Sequence, residues 1–141
     1  MATNSTLTAL ILGGNQVGAE GAGRFAKALS SNSILTTLDL SANSVGEEGA
    51  GRLAGALAIN STLTILNLYK NLVKDEGAGR LTEAMATNST LTRFDLNWDS
   101  NTRLLVDAYL DRNKGNLEKK SASLFFMLLP ALFLDSDVPS E

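Results

Sequence analysis

Apolar residues along the chain follow two different spacings within each short stretch. Leu10 and Leu12 alternate with Ala9, Ile11 and Gly13, which is typical of a short strand with one buried face. A few residues later the apolar positions fall at helical spacing. They are Val17, Ala22, Phe25, Ala26 and Leu29. The pattern therefore predicts a short strand followed by an amphipathic helix.

This strand and helix pattern repeats every 28 residues. Similar segments open at Asn4, Asn32, Asn60 and Asn88. Residues 4–31 and 32–59 are identical at more than half of their positions, including a shared Glu-Gly-Ala-Gly-Arg segment. The first three units carry the framework Leu-x-x-Leu-x-Leu-x-x-Asn, which ends at Asn15, Asn43 and Asn71. A fixed period of this length predicts an array of stacked repeats.

The framework resembles that of leucine-rich repeats, and the 28-residue period with its amphipathic second half is similar to the ribonuclease-inhibitor-like subfamily, as in the repeat regions of NOD-like receptors. This resemblance implies an α/β fold, a right-handed solenoid of about four coils with short parallel strands on its concave face and helices on its convex face. Predicted boundaries are 1–99 for the repeats (4–31, 32–59, 60–87 and a partial 88–99), 100–134 for a helical C-terminal capping region, and 135–141 for a flexible acidic tail.

Asn15, Asn43 and Asn71 are predicted to point inward where each strand bends into a loop, because a buried carboxamide needs backbone partners in the neighbouring coils. The fourth unit departs from the framework: Phe94 replaces a leucine, and Asp99 stands where the asparagine is expected. We interpret this unit as a capping coil, since terminal repeats need a cover. The apolar run Leu124–Leu134 is expected to fold over its open end.

At the other end, three residues precede the first repeat, so the sequence supplies no cover for the first strand. An uncovered strand edge can pair with another chain. Two interpretations stay open: the chain comes from a longer array, or it forms a homo-oligomer through this uncapped N-terminal coil.

The amino-acid composition excludes several kinds of catalytic and metal-binding site. The 141 residues include no cysteine and no histidine, which excludes disulfides, thiol nucleophiles, imidazole catalysis and Cys/His zinc sites. We therefore expect a protein that is not an enzyme, with no catalytic residues, no cofactor and no metal. With 12 Lys and Arg residues against 15 Asp and Glu residues, the chain lacks the excess of positive charge that attracts a nucleic-acid backbone. The recurring Gly-Ala-Gly-Arg segments favour close helix packing over phosphate binding.

Two sequence features bear on the cellular compartment of the protein. No positively charged segment precedes the first apolar stretch, so a secretory signal is not expected. The Leu124–Leu134 run is interrupted by Pro130 and is shorter than the roughly 20 residues that span a bilayer. Lys119 and Lys120 before this run could mark a membrane anchor, but capping of a core is the commoner use. The prediction is a cytoplasmic protein without membrane contact.

Strand residues between the framework leucines vary from unit to unit and gain bulk and charge toward the third and fourth units. The candidate residues for binding a protein on the concave face are Tyr69, Lys70, Arg93, Asp95, Asn97 and Trp98. Tyr, Trp and Arg are enriched at interface hot spots. The alternative interpretation is an ordinary solvated sheet with Trp98 tucked under the C-terminal cap.

The function that these patterns indicate is a non-catalytic protein–protein interaction module. Two other classes remain at this stage. One is a regulatory subunit or sensor fragment that controls an enzyme, such as a small GTPase or a NOD-like receptor. The other is a self-assembling structural protein, with its two ends as the contact surfaces.

Overall fold

The computed structural model describes residues 4–115 as four strand and helix units in sequence. The elements are β1 (Ala9–Ile11), α1 (Gly18–Leu29), β2 (Thr37–Asp39), α2 (Gly46–Leu57), β3 (Ile65–Asn67), α3 (Lys74–Thr87), β4 (Arg93–Asp95) and α4 (Ser100–Asn113). The strands form one parallel sheet in the order β1-β2-β3-β4. The predicted α/β repeat solenoid is thus confirmed. Residues 124–134 and 135–141, with their predicted roles as cover and tail, lie outside the described residues.

The sheet register follows the repeat. Leu10 pairs with Leu38, Leu38 with Leu66, and Leu66 with Phe94, so residues one period apart lie side by side. Leu38, Leu66 and Phe94 are fully buried, as are Leu53 and Leu81 on the helices behind them. Each such burial contributes about 1.5–3 kcal/mol. Because each core residue contacts neighbouring coils, stability belongs to the stack rather than to single units.

Glycine lets adjacent helices approach closely. A Cβ atom added at Gly49 of α2 would lie 2.7 Å from Val45 Cγ1 of its own coil, and 3.0 Å from Ala22 Cβ and 3.2 Å from Ala19 Cα of α1. The equivalent Gly77 of α3 faces Ala50 of α2 in the same way. The Gly-Ala-Gly-Arg segments therefore serve helix packing, the role that the sequence favours for them.

The loop between each strand and helix has an alternating backbone. In the first coil Gly14, Gln16 and Gly18 all have positive φ, at 72°, 55° and 68°. This alternation turns the amides of the intervening residues Asn15 and Val17 toward one point, an arrangement that binds oxygen atoms. Asn43 Oδ1 of the next coil lies at that point, 2.8 Å from the Asn15 amide and 3.1 Å from the Val17 amide. The loop of the first coil is thus filled by the following coil.

The rest of the Asn43 carboxamide is also used. Its Nδ2 donates to the carbonyls of Leu12 and Ser41, at 2.8 and 3.0 Å. Asn71 repeats the pattern one coil later, where its Oδ1 accepts from the amides of Asn43 and Val45. Both asparagines are fully buried.

Asn15 does not share this burial, and its side chain makes none of the predicted bonds to a neighbouring coil. Its side chain is exposed, and its Nδ2 donates only within its own loop, to the carbonyls of Leu12 and Gly13. The physical reason is its place in the array. Among the described residues no coil lies before the first one, so nothing there covers Asn15 or offers it amide donors.

A second column of asparagines, whose role the sequence did not reveal, holds the other end of each helix. Asn60 Oδ1 accepts from the amides of Thr62 and Leu63, and its Nδ2 donates to the Leu29 carbonyl at the end of α1. Asn88 repeats these bonds one coil later and reaches the Leu57 carbonyl at the end of α2. These residues open the Asn-Ser segments, so their period was visible although their partners were not.

The last described helix closes the array differently. Asp99 caps the start of α4 by accepting from the amides of Asn101 and Thr102. At the other end of α4, Arg112 donates to the carbonyls of Met85 and Asn88. Asn113 Nδ2 also donates to Asn88, at 3.1 Å. The polar end of α4 thus takes the carbonyls that an additional coil would otherwise bind.

Replacement of Asn43 by alanine is expected to lower the free energy of unfolding by about 1–3 kcal/mol, because buried backbone donors and acceptors lose their partners. Asn15→Ala is the matched control, since Asn15 occupies the same framework position but is exposed. We expect a clearly smaller effect for it. Urea unfolding followed by circular dichroism measures both, and equal losses would contradict the role of the inter-coil bonds.

Alanine substitutions at two glycines of α2 are expected to change the stability of the protein in opposite directions. Gly49→Ala places a methyl group against α1 and should destabilise the protein by about 1–3 kcal/mol through overpacking. A Cβ at Gly55 meets no atom within 4 Å, so Gly55→Ala should stabilise by about 0.5–1 kcal/mol through helix propensity. Thermal melting distinguishes them. Changes of the same sign would argue against close packing of α1 and α2 at Gly49.

Candidate functional site

The side chains that alternate with the buried residues of β1–β4 form one continuous surface, which we call the strand face. Pairing in register places these side chains in two columns that cross all four strands. One column contains Ala9, Thr37, Ile65 and Arg93, and the other contains Ile11, Asp39, Asn67 and Asp95. Adjacent residues of a column are separated by one strand spacing of about 4.8 Å. Residues far apart in sequence therefore form one surface.

The strand face is apolar and uncharged at its β1 end and charged at its β4 end. At the β1 end, Ile11 is 63% exposed and no charged residue lies in the column positions of that strand. At the β4 end, Arg93 Nε lies 2.9 Å from Asp95 Oδ2. This pair is largely open to solvent, with the Arg93 side chain 68% exposed, so it adds little stability. Its charges remain accessible to a partner.

Three of the predicted residues meet at the loop edge of this surface. Tyr69 is 46% exposed, and Lys70 Nζ lies 5.6 Å from the centre of its ring, within range of a cation–π contact. The Lys70 amide donates to Asn97 Oδ1 at 2.9 Å. Tyr69, Lys70 and Asn97 thus form a cluster at the β3–β4 end of the surface.

Trp98 does not join this exposed row. It is half-buried, and its ring meets Phe94 edge to face with centroids 5.2 Å apart. Its Nε1 is buried, without a hydrogen-bond partner among residues 4–115. The strand alternation that predicts exposure ends with β4 at Asp95. Beyond it the chain turns toward α4, and the indole packs against the core.

A groove between β4 and α4 continues the strand face. The residues that line it are Ile65, Thr92, Arg93, Phe94, Asp95, Arg103, Asp107, Leu110 and Lys114. Arg103 and Asp107 form an ion pair at 2.9 Å along α4. Sequence reasoning missed these α4 residues, because their spacing predicts a helix but says nothing about which edge of the sheet that helix lies against.

The titratable groups with shifted pKa values have structural causes. The hydrogen bonds from the Thr102 hydroxyl and amide hold the pKa of Asp99 below its usual value, which keeps the helix cap ionised. Burial raises the pKa of Tyr109, with the nearby Arg112 guanidinium opposing that effect. Neither residue lines the strand face or the groove. Both shifts belong to the closure of the array by α4.

Within residues 4–115, no group of three or more acidic, histidine or cysteine side chains is placed to hold a metal ion. Asp39 and Asp95 share a column, but Asn67 lies between them and its Nδ2 is 3.4 Å from Asp39 Oδ2. None of the helices in this part of the chain is long and apolar enough to span a membrane. The arrangement of polar, aromatic and charged side chains on a paired sheet is suited to contact with another macromolecule.

Comparison with family models gives a match to "Leucine Rich repeat" at residues 3–26, 31–54 and 60–81. The matched stretches correspond to the first three predicted units, and the ribonuclease-inhibitor-like subfamily is compatible with them but not confirmed. A comparison with curated protein sequences gives no match.

Two solved structures are similar in fold. "Leiomodin-1 Actin-Binding Site 2 (ABS2)" aligns with a TM-score of 0.74 at 22% identity, over 83% of this chain and 69% of that one. The tropomodulin C-terminal domain of Caenorhabditis elegans aligns with a TM-score of 0.54 at 11% identity, over 86% of this chain and 92% of that one. At these identities the likeness shows the fold alone.

The different burial of two aromatic residues predicts different costs of removing them. Trp98→Ala should lower the free energy of unfolding by about 2 kcal/mol, because it removes the packing on Phe94. Tyr69→Ala should change it by less than about 0.5 kcal/mol, as is usual for an exposed side chain. Urea unfolding followed by far-ultraviolet circular dichroism measures both. Comparable losses would mean that Trp98 does not pack on the core.

Proposed function

Because this chain belongs to the leucine-rich repeat family, we propose that it is a non-catalytic protein-interaction module whose strand face binds a protein partner. The observation that carries the proposal is that the exposed Tyr69 and Lys70 and the Arg93–Asp95 ion pair lie at the same β3–β4 end of this surface. Framework residues repeat because every coil needs them. The cluster residues do not repeat from coil to coil.

The physical case for this surface rests on rigidity and composition. Arg93 and Asp95 lie on the paired strand β4, and the turn at Tyr69 and Lys70 is tied to the next coil by the Lys70 amide, which donates to Asn97 Oδ1. Little backbone entropy is therefore lost when a partner binds. Tyr and Arg are the side chains that most often anchor interfaces. The neighbouring groove, with the Arg103–Asp107 pair along α4, adds further charges of both signs. A partner with complementary charges would be oriented by them.

Actin is the first named partner to test, since the solved leiomodin-1 structure is described as an actin-binding site. The likeness in fold motivates the test, and the residues of the proposed site come from this chain alone. Control of an enzyme would be a further consequence of such binding and needs the partner to be identified first.

Self-association is the second candidate. Ile11 on β1 is 63% exposed and Leu7 before it is 42% exposed, and no charged residue occurs before Glu20. Two such surfaces can meet without charge repulsion. In this alternative the contact lies at the first coil, away from the β3–β4 cluster, so variants of the cluster should leave it unchanged.

The decisive experiment is affinity capture from native lysate with the full chain as bait, compared with a Tyr69→Ala/Arg93→Ala double variant. We expect the wild type to retain a partner, identified by mass spectrometry, that the double variant loses by at least about tenfold, since two hot-spot truncations remove several kcal/mol. Purified actin then tests whether that partner is actin, by co-sedimentation with filaments.

The matched control is Arg24→Ala/Lys27→Ala on α1, which also removes charged, exposed side chains but lies away from the strand face. Circular dichroism verifies that all three proteins fold. Equal capture by the two double variants would overturn the assignment to the strand face. Capture of copies of the chain alone, unchanged by either variant, would support self-association instead.

A further inference from the structure

The strand face is narrow along the strands and longer across them. Each of the four strands has three residues, which corresponds to a width of about 10 Å at about 3.3 Å per residue. Across the strands, the spacing of about 4.8 Å repeats from β1 to β4, and the groove beside α4 continues the surface. A rod-shaped segment of a partner therefore fits this surface when it lies across the strands.

Of the two regular backbone conformations, the α-helix has dimensions that match this surface. A helix is about 10–12 Å in diameter and rises about 5.4 Å per turn. Because the rise per turn is close to one strand spacing, successive turns meet successive strands, and the mismatch over three spacings is about 2 Å. An extended segment presents a side chain to the same face only about every 7 Å, so its side chains fall out of register with the strands.

Asp39 places a carboxylate without a counter-ion near the middle of the strand face. Its side chain is half-buried, and no ion pair in the described part of the chain includes it. Its polar neighbours are neutral, since Oδ1 accepts from the Ser41 amide at 2.8 Å and Oδ2 lies 3.4 Å from Asn67 Nδ2. The carboxylate of Asp95, by contrast, is paired with Arg93. A cationic side chain of a partner is therefore complementary to Asp39.

Apolar side chains flank Asp39 on both sides. Ile11 lies next to it in the same column, on β1, and is 63% exposed. Ile65 lies on β3 in the other column, next to Thr37, and is half-buried. A helix of about 10 Å diameter covers both columns. The surface thus presents an apolar, an acidic and an apolar side chain in sequence from β1 to β3.

We propose that the strand face binds an amphipathic α-helix of the protein partner, which lies across the strands with a lysine or arginine over Asp39 and apolar side chains over Ile11 and Ile65. One helical turn separates each contact from the next. The partner helix therefore carries an apolar residue at position i, a basic residue at i+3 or i+4, and a second apolar residue at i+7. The proposal rests on the proposed function, because it names the conformation and chemistry of the partner at the same surface.

The test is selection of displayed peptides against the immobilised full chain. The library is an alanine-rich helix of about five turns, in which the three positions of the pattern are randomised. We expect enrichment of an apolar residue at both outer positions and of lysine or arginine at the middle position. A second library carries one proline in the middle of the same sequence, which breaks the helix, and we expect no enrichment from it.

Asp39→Asn removes the charge and keeps the local hydrogen bond. Asn67 occupies the same position on β3, where its Oδ1 accepts from the Tyr69 amide as Asp39 Oδ1 accepts from the Ser41 amide, so the variant should fold. It should bind the selected peptide about twofold to fivefold more weakly, as expected for the loss of an ion pair open to solvent. Glu83→Gln removes an exposed carboxylate from α3 and should leave the affinity unchanged. Fluorescence anisotropy measures the affinities, and circular dichroism verifies the fold.

Three outcomes would overturn the proposal. They are the absence of a basic residue at the middle position of the enriched peptides, equal enrichment from the proline library, and equal affinity of the wild type and Asp39→Asn for the selected peptide. Partner capture is a separate measurement. Capture that depends on Tyr69 and Arg93, without helix binding, would retain the proposed function and reject the helix. Helix binding at Asp39 without such capture would reject the assignment of the native partner to the strand face.

Discussion

The fold depends on one buried carboxamide in each inner coil. Helices α1, α2 and α3 begin without a side-chain cap of their own. Asn43 supplies the missing acceptors for α1, since its Oδ1 binds the amides of Asn15 and Val17 and its backbone carbonyl accepts from Gly18. Its Nδ2 holds the end of the preceding strand through the Leu12 carbonyl. A single side chain therefore fixes the bend of one coil and the start of the neighbouring helix.

This arrangement gives the array a direction. The loops of the first two coils are completed by the coil that follows them. The loop of the third coil is not completed in this way, because Asp99 at the matching position caps α4. Helix α4 closes this end of the array in another way. Asp99 caps its first turn, and Arg112 and Asn113 near its last turn donate to the Asn88 carbonyl of the neighbouring coil. The first coil has the opposite deficit: Asn43 supplies its acceptors, but within residues 4–115 no coil precedes it, so Asn15 stays exposed.

The features that repeat every 28 residues could be predicted from the sequence, whereas the features at the two ends of the array could not. Period and alternation were sufficient for the strands, the helices, the register of Leu10 with Leu38, and the inward position of Asn43. Asn15 carries the same local pattern as Asn43, and its exposure depends on a neighbour that a local pattern cannot describe. Trp98 lies just beyond the last strand, where alternation no longer applies. The place of α4 beside β4 depends on tertiary packing, which its own residues do not encode as a repeat.

The residues of the candidate site also divide into those that the repeat pattern reveals and those that depend on tertiary packing. Tyr69, Lys70 and Arg93 could be selected from the sequence because residues that vary within a strict repeat are free from framework constraints. Arg103 and Asp107 of the groove could not, because their spacing predicts a helix but does not show which strand that helix lies against. A regular repeat satisfies its own polar groups through its neighbours. Where the repeat ends, this mutual pairing stops, and the exposed Tyr69, Lys70 and Arg93 lie at that β3–β4 end of the sheet.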